Sequence, residues 1–413
     1  VSGLATLVGI DVGSRAVSVV VAVAEEEQLV VQGCGQAPHD GAKKGVISDL
    51  EQVVQAVRSA ADEAETMASL PVEDALVSIG GTPTQGVRAT ASVPITGRHH
   101  TVTEDDERRA LRACGRVSIP PDYRVLDIVP CSFAVDGQGG MQRAVGMPGS
   151  RLDASGFVLY SHKTHADTVE QAVNRAGIRV TRLVYEPLAD GEAVLTPDEK
   201  ELGCLLIDIG YGSTEWILFS DGAVVATGAT PVAGRIFTND LAVVLKTTTA
   251  AAEGVKRRVG AVVDGNGTDA SGIEVPARGG EGLLVHPRRL AGEVLHERAR
   301  DLFIRIHRVL VADGLERLPR AGVVLTGGGA LLDGLSECAQ EIFGCRVRVG
   351  VPRGFAGLTE PVSGAGWSVA CGLVLRQYRR LCNQEVTPGD VQDGILAKLR
   401  SVLGEFFEIG GGS

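Results

Sequence analysis

Apolar positions along the chain come in short runs broken by glycine turns. Residues 6–10 are apolar; the polar turn Asp11-Val12-Gly13-Ser14-Arg15 follows, then a β-branched run over 17–23. Two such runs around a short turn predict a β-hairpin. Residues 204–207, the turn Asp208-Ile209-Gly210-Tyr211-Gly212-Ser213-Thr214, the run 216–219 and a second turn at Asp221-Gly222 repeat the pattern. A second pair also recurs. The apolar run 75–79 ends in Gly80-Gly81, and the run 323–326 ends in Gly327-Gly328-Gly329. Asp11 and Gly80 are 69 residues apart, Asp208 and Gly327 are 119 apart. The chain therefore reads as a duplication with an insertion in its second half. Helical spacing over 288–312 predicts a long amphipathic helix. Thr103 followed by Glu104, Asp105 and Asp106 supplies an N-cap and first-turn acids for a helix to Cys114.

Composition narrows the class. The 413 residues carry 40 basic and 51 acidic side chains, a net charge of -11, which excludes a general nucleic-acid binder needing a basic footprint. A hydrophobic share of 44%, only 4% aromatics and 54 glycines predict an α/β protein with Val-rich strands and many turns, of two to four domains. The eight cysteines include no C-x-x-C pair, so neither a zinc framework nor a disulfide scaffold is expected, and reduced cytosolic thiols are. No apolar run approaches the ~20 residues of a spanning helix, and Asp11 and Arg15 interrupt the apolar N-terminus where a secretory signal would need continuity. His99-His100 and His162-x-x-His165 lack a third ligand for a metal site.

The two turns suit a nucleotide. Facing hairpin turns can present backbone N–H groups to phosphates, since glycine lets the backbone approach. One Asp from each turn can hold a hydrated Mg²⁺, which prefers carboxylate and water. Either turn alone is an ordinary hairpin; the paired copies and the triple glycine carry the inference.

On these residues the chain resembles the actin-like ATPase superfamily, with two ribonuclease-H-like domains. Asp11 to Ser14 match its first phosphate motif, Asp208 to Thr214 its second, and residues 323–329 its adenosine motif. Glu186-Pro187-Leu188-Ala189 and Ser368-Val369-Ala370-Cys371-Gly372 resemble the two connecting segments, and Ala252-Glu253-Gly254-Val255-Lys256 the helix that lays Glu and Lys against adenosine. The resemblance implies ATP and Mg²⁺, with Asp11 and Asp208 organising the metal through waters. Phosphates would meet Gly13, Ser14, Arg15, Gly210, Tyr211, Gly212, Ser213 and Thr214, and Gly234 would also belong to the cofactor site. Glu253, Lys256, Gly327, Gly328 and Gly329 would meet the nucleoside, and Glu186 would orient an attacking water or merely cap its helix. Tyr211 stands where family members often carry Gly, and Arg15 where Lys is common, so hydrolysis is expected to be weak or absent.

The spare residues select a branch. The segment 32–48 is too short for a first-half subdomain of the actin type, whereas roughly 78 residues, 83–160, follow Gly80-Gly81. That displacement, a 1C subdomain in place of actin's 1B, resembles FtsA, as do the strings Lys44-Gly45-Val46-Ile47-Ser48, Arg124-Val125-Leu126 and Pro231-Val232-Ala233-Gly234. The resemblance implies subdomain 1A over 1–82 and 161–202, 1C over 83–160, 2A over 203–237 and 319–362, 2B over 238–318, and a return helix over 363–382. It also implies filaments of the protein itself, FtsZ tail binding on 2B near Arg298, further division partners through 1C, and a place at the cytoplasmic face of the inner membrane. Arg108, Arg109, Arg112 and Arg116 form either a solvated helix face or an intersubunit surface. The other readings left open are a PilM-type assembly scaffold and a small-molecule kinase; for the kinase no convincing catalytic Asp is present.

Residues 383–394 read as a linker. Beyond it, Ile395, Leu396, Leu399, Val402, Leu403, Phe406, Phe407 and Ile409 share one arc of roughly 160° at ~100° per residue, opposite Lys398, Arg400, Glu405 and Glu408. A helix lying on inner-membrane lipids is expected; docking on this chain or a partner is the alternative. With two basic and three acidic side chains over 391–413, apolar burial must do most of the binding.

Overall fold

The computed structural model describes residues 5–25, 28–262, 271–280, 282–315 and 319–383. Gly265-Asn266-Gly267-Thr268-Asp269, whose glycines read as a hairpin tip, the linker beyond Asn383 and the helix expected at 395–409 lie outside the described residues.

The first half opens with the antiparallel strands β1 (Thr6–Val12), β2 (Ala16–Glu25) and β3 (Gln28–Pro38), then a short ribbon, β4 (Ala42–Lys43) and β5 (Val46–Ile47), then α1 (Leu50–Ala68) and β6 (Asp74–Ile79). Asp49 caps α1 by accepting from the Gln52 N–H at 3.2 Å. Val53, Val54, Val57, Ala60, Ala61 and Ala64 form its buried stripe, the spacing of an amphipathic helix. Strand β3 went unread in the sequence because Gly33 and Gly35 look like turn punctuation. They serve close packing instead: a Cβ on Gly35 would lie 2.1 Å from the Ala60 carbonyl oxygen of α1.

An inserted block follows: β7 (Thr84–Pro94), α2 (Glu104–Cys114), β8 (Tyr123–Val135), β9 (Gln138–Met141) and β10 (Arg151–His162). Its antiparallel sheet runs β7-β10-β8-β9, and Ala110, Leu111 and Cys114 of α2 pack with Phe133, Leu152 and Val158. Residues 83–160 read in sequence as short strands around one helix. Those observed run to 11, 13 and 12 residues for β7, β8 and β10, since side chains alternating between a packed and an open face let polar residues continue a strand.

The chain returns through α3 (Lys163–Arg175), β11 (Arg179–Tyr185) and α4 (Glu186–Val194), and α5 (Pro197–Leu202) leads to the second half. There β12 (Cys204–Ile209), β13 (Thr214–Ser220) and β14 (Ala223–Thr230) form a meander, followed by α6 (Gly234–Val244), α7 (Thr249–Val259), the hairpin β15 (Gly272–Pro276) and β16 (Leu283–Pro287), and α8 (Arg288–Ala312). Then come β17 (Val323–Thr326), α9 (Leu335–Phe343), β18 (Val347–Val349), β19 (Ala356–Gly357) and α10 (Ser368–Asn383).

Strand order reveals the duplication. One sheet runs β11-β6-β1-β2-β3-β19, the other β18-β17-β12-β13-β14. In each, a three-stranded antiparallel meander is extended by two parallel strands beside its first member. Leu188 and Val194 of α4 and Ala370 and Val374 of α10 lie in the core shared by Leu7, Val20 and Leu29 of one sheet and Leu206, Ile217 and Val324 of the other. The two connecting helices are thus sandwiched between the halves. The insertion also touches the second half: Cys131 Sγ donates to the Val224 carbonyl at 3.5 Å, and Gln142 Nε2 to that of Asp221 at 3.1 Å.

Candidate nucleotide cleft

A cleft of about 630 Å³ opens between the halves. The β1–β2 and β12–β13 turns face each other across its floor. Gly13, Arg15, Gly210 and Tyr211 line it. The second turn is held from behind by the start of α6, where the Gly234 N–H donates to the Gly210 carbonyl at 3.0 Å and the Arg235 N–H to that of Tyr211 at 2.9 Å. The first turn is held by His39, which the sequence did not flag. Its Nε2–H donates to the Gly13 carbonyl at 3.0 Å while its Nδ1 accepts from the Gly41 N–H at 3.1 Å. Burial lowers the imidazole's pKa, against the pull of the Gly13 carbonyl and of Asp40.

Carboxylates from both halves converge on this floor. Asp11 and Asp208 are the penultimate residues of β1 and β12, and Glu186 opens α4. The register pairs Asp208 with Glu215 as it pairs Asp11 with Ser18, so Glu215 joins the group from β13. One turn along α4 from Glu186, Asp190 is fully buried. Burial pushes Asp11 up to about 6, against the Ser78 hydroxyl, which donates to its Oδ1 at 2.8 Å. Burial pushes Glu215 up to about 7, against the Gly81 N–H and the Ser213 hydroxyl. Glu186 and Asp208 are driven well above the ordinary carboxylate range, first by burial and then by Glu215 and Asp11. In Asp190 burial acts first and Asp208 next. Tyr185, the residue that precedes Glu186 at the start of α4, makes no side-chain capping hydrogen bond.

The second half supplies the other wall. Lys256 Nζ donates to the Gly234 carbonyl at 3.0 Å and to Thr238 Oγ1 at 2.8 Å, and pairs with Glu253 at 2.8 Å. Arg257 holds the other Glu253 oxygen at 2.8 Å. After β17, Gly327 adopts φ +80°, and a Cβ there would lie 1.9 Å from Asp208 Oδ1. Gly328 has open space where its Cβ would be, so its backbone is the one a flat ring could approach. Gly366 lies opposite it, and Trp367 lines the same wall.

Four expected phosphate residues stand apart from the cleft lining. Ser14 and Gly212 are at the contact of the two turns, where a Cβ on Gly212 would lie 2.2 Å from Ser14 Oγ. Ser213 lines a smaller hollow behind them with Ser14, Gly80, Gly81 and Glu186. Thr214 is buried, its hydroxyl donating to the Val232 carbonyl at 2.8 Å. The histidine pairs do not converge on one site: His165 faces the Gly80 carbonyl and His162 faces Asp122. Arg298 on α8 lies between Asp240 at 2.5 Å and Asp301 at 2.9 Å.

A family model described as cell division protein FtsA matches residues 205–372, and one described as the SHS2 domain inserted in FTSA matches residues 81–160. The cell division protein FtsA of Pseudomonas aeruginosa is 37% identical over 370 residues, covering 89% of this chain and 88% of that protein. That of Escherichia coli is 32% identical over 376 residues, with 89% of each covered, and that of Bacillus subtilis 32% over 354 residues, covering 86% and 80%. Among solved structures, the PilM–PilN type IV pilus biogenesis complex matches with a TM-score of 0.63 at 18% identity, covering 90% of this chain and 98% of that one. MreB5 of Spiroplasma citri bound to ADP matches at 0.54 and 14% identity, covering 92% and 99%. The fold is the actin-like ATPase fold, with its insertion after the glycine pair of the first half.

Proposed function

The chain belongs to the FtsA family of cell division proteins, and on that premise we propose that it is an ATP-binding, filament-forming adaptor tying FtsZ to the cytoplasmic face of the inner membrane at the division site. The observation that carries the nucleotide part is the convergence of Asp11, Glu186, Asp208 and Glu215 from both halves on a cleft walled by two glycine turns. A related fold, MreB5, was crystallised with ADP and with AMPPNP.

The donor set fits a hard divalent cation. Asp208 Oδ1 is buried with no hydrogen-bond partner among the described residues, and the crowded carboxylates are strained toward protonation. Bound Mg²⁺ would supply the positive charge that lets Asp11 and Asp208 ionise together beside phosphate. Arg15 and Lys256 would meet phosphate or ribose from either side, Gly328 would admit the base, and Glu186 would orient water.

In the subdomain scheme, the insertion 83–160 is 1C and the block 238–318 is 2B. Arg298 on 2B is offered to the FtsZ tail, whose acids would displace Asp240 and Asp301 from it. The amphipathic pattern at 395–409 supports membrane attachment, and several tails on one filament would act together through effective concentration.

The test is co-sedimentation with lipid vesicles, with and without Mg-ATP, comparing the full chain with one ending at Cys382. The full chain should pellet, more so with Mg-ATP, and the short one should not; Leu399→Asp or Phe406→Asp should release it while leaving ATP binding intact. Pelleting by neither chain at any concentration overturns the membrane-adaptor reading.

A further inference from the structure

The Gly80–Gly81 peptide joins the root of the insertion to the carboxylate cluster. Its carbonyl, on Gly80, lies 3.0 Å from His165 Nε2 and 3.1 Å from Thr84 Oγ1. Its N–H, on Gly81, crosses to the second half and donates to Glu215 Oε1 at 2.5 Å. A peptide unit is planar, so its carbonyl cannot be moved without turning its N–H. Two donors on the carbonyl also polarise the amide and strengthen the N–H as a donor, by about 10–30% per bond in cooperative chains.

The contact is close-fitting on the glutamate side. A Cβ on Gly80 would lie 2.5 Å from Glu215 Oε2 and 2.6 Å from Glu186 Oε2. Both carboxylates therefore rest against this one backbone atom, and where the peptide sits decides where they sit. On the other side, both donors belong to the insertion's stems. Thr84 opens β7, and its hydroxyl lies within donating distance of both the Gly80 carbonyl and, 3.0 Å away, Ser161 Oγ in β10. His165 lies in the first turn of α3, directly after β10.

The histidine is the telling partner. A carbonyl can only accept, so Nε2 carries the proton, and Nδ1 is left buried with no partner among the described residues. Burial lowers the ring's pKa, keeping it neutral. A buried acceptor without a partner is a feature folding alone does not favour; here it accompanies a donor aimed at the one carbonyl whose peptide reaches Glu215.

We infer that His165 and Thr84 are positioning residues for the nucleotide cleft, holding Glu215 against Glu186 through the Gly80–Gly81 peptide and so coupling the tilt of the insertion to the site. The inference rests on the nucleotide reading above.

The test uses the full chain labelled with ¹⁵N-glycine and follows the Gly81 amide proton without nucleotide. The resonance should be strongly deshielded and should move upfield in Glu215→Gln and in His165→Ala. His165→Gln, whose side-chain amide can donate to the same carbonyl, should restore most of the shift. Thr84→Val, which leaves the helix α3 untouched, should give a smaller move of the same sign and serves if His165→Ala fails to fold. In parallel, His165→Ala should weaken binding of a fluorescent ATP analogue with Mg²⁺ about threefold to tenfold, the worth of one hydrogen bond. The double variant with Glu215→Gln should bind no worse than Glu215→Gln alone. A Gly81 resonance unmoved by His165→Ala and Thr84→Val, or fully additive losses in the double variant, overturns the coupling. Absence of analogue binding by the unaltered chain overturns the nucleotide reading instead, and the two failures are told apart because the Gly81 shift is measured without nucleotide.

Discussion

Arg15 and Tyr211 meet across the cleft, the guanidinium carbon 5.0 Å from the ring centroid, and Lys256 Nζ stands 5.8 Å from the same ring. Tyr211, which stands where a glycine is common, thus steadies two cations, one from each half. Each such cation–ring pair is worth about 0.5–1 kcal/mol at an exposed site. Tyr211→Ala should weaken Mg-ATP binding by about two- to fivefold for each cation it releases, whereas Tyr211→Phe, which keeps the ring face, should bind as the unaltered chain does. Titration with a fluorescent ATP analogue separates the two; equal weakening in both variants would assign the effect to the hydroxyl.

Asp208 is expected to trade stability for metal binding. With its carboxylate buried beside Glu215 and Asp11, Asp208→Asn removes a like charge from a crowded site, so the variant should melt higher than the unaltered chain when Mg²⁺ and nucleotide are absent. With Mg-ATP at about 100 times its Kd the unaltered chain should gain about 2.7 kcal/mol, and the variant clearly less. Thermal melts with and without Mg-ATP check both directions. A variant that gains as much as the unaltered chain would remove Asp208 from the metal site.

Much of this floor was legible in the sequence because hairpin turns are local. Asp11 and Asp208 each sit beside glycines that announce the turn, and the duplicated spacing ties the two turns together. Glu215 was missed although it lies one residue beyond Thr214, because only strand register places it opposite Asp208. Asp190 was open to discovery, being four residues from Glu186 on one helix face. The roles of His39 and His165 were not: their partners are carbonyls 26 and 85 residues away, and neither a lone histidine nor the His162-x-x-His165 spacing points to a distant carbonyl. Gly33 and Gly35 hide strand β3 in the sequence, since close packing under α1 and a turn call for the same residue.

Asp106 should make the insertion's stability depend on acid pH. Burial pushes its carboxyl up, but Thr103, Arg109 and Thr96 donate to it and together hold it well below the usual range. Thr103 also accepts from the Asp106 N–H at 3.2 Å, closing a capping box on α2. Because the folded value lies below the unfolded one of about 3.9, this stabilisation is fully present above that pH and is lost as pH falls below it. Asp106→Ala should lose about 1.5–3 kcal/mol at pH 7 with the hydrogen bonds to its charge, and the gap to the unaltered chain should narrow below about pH 4. Amide exchange of α2 at both pH values measures it; a gap constant with pH would mean the carboxylate's charge is irrelevant.

Asp127 should act as the staple of the insertion. From β8 it reaches Arg182 of β11 at 2.7 Å and Arg376 of α10 at 3.0 Å, and Arg376 continues toward Glu192 of α4 at 3.9 Å. One nearly buried carboxylate therefore joins the insertion to the first-half sheet and to a helix between the halves. Removing it takes from Arg182 and Arg376 the carboxylate they share at this seam, and breaking a buried pair from one side costs about 3–5 kcal/mol. Asp127→Ala should lower the urea midpoint by that measure, and Asp127→Asn, which keeps an acceptor but no charge, should lose less. Because both ion pairs lie at one seam, limited proteolysis should cut within residues 83–160 of Asp127→Ala before the rest of the chain opens. Cutting that begins elsewhere, or an unchanged midpoint, would show that the backbone pairing of β8 with β10 holds the insertion without this charge.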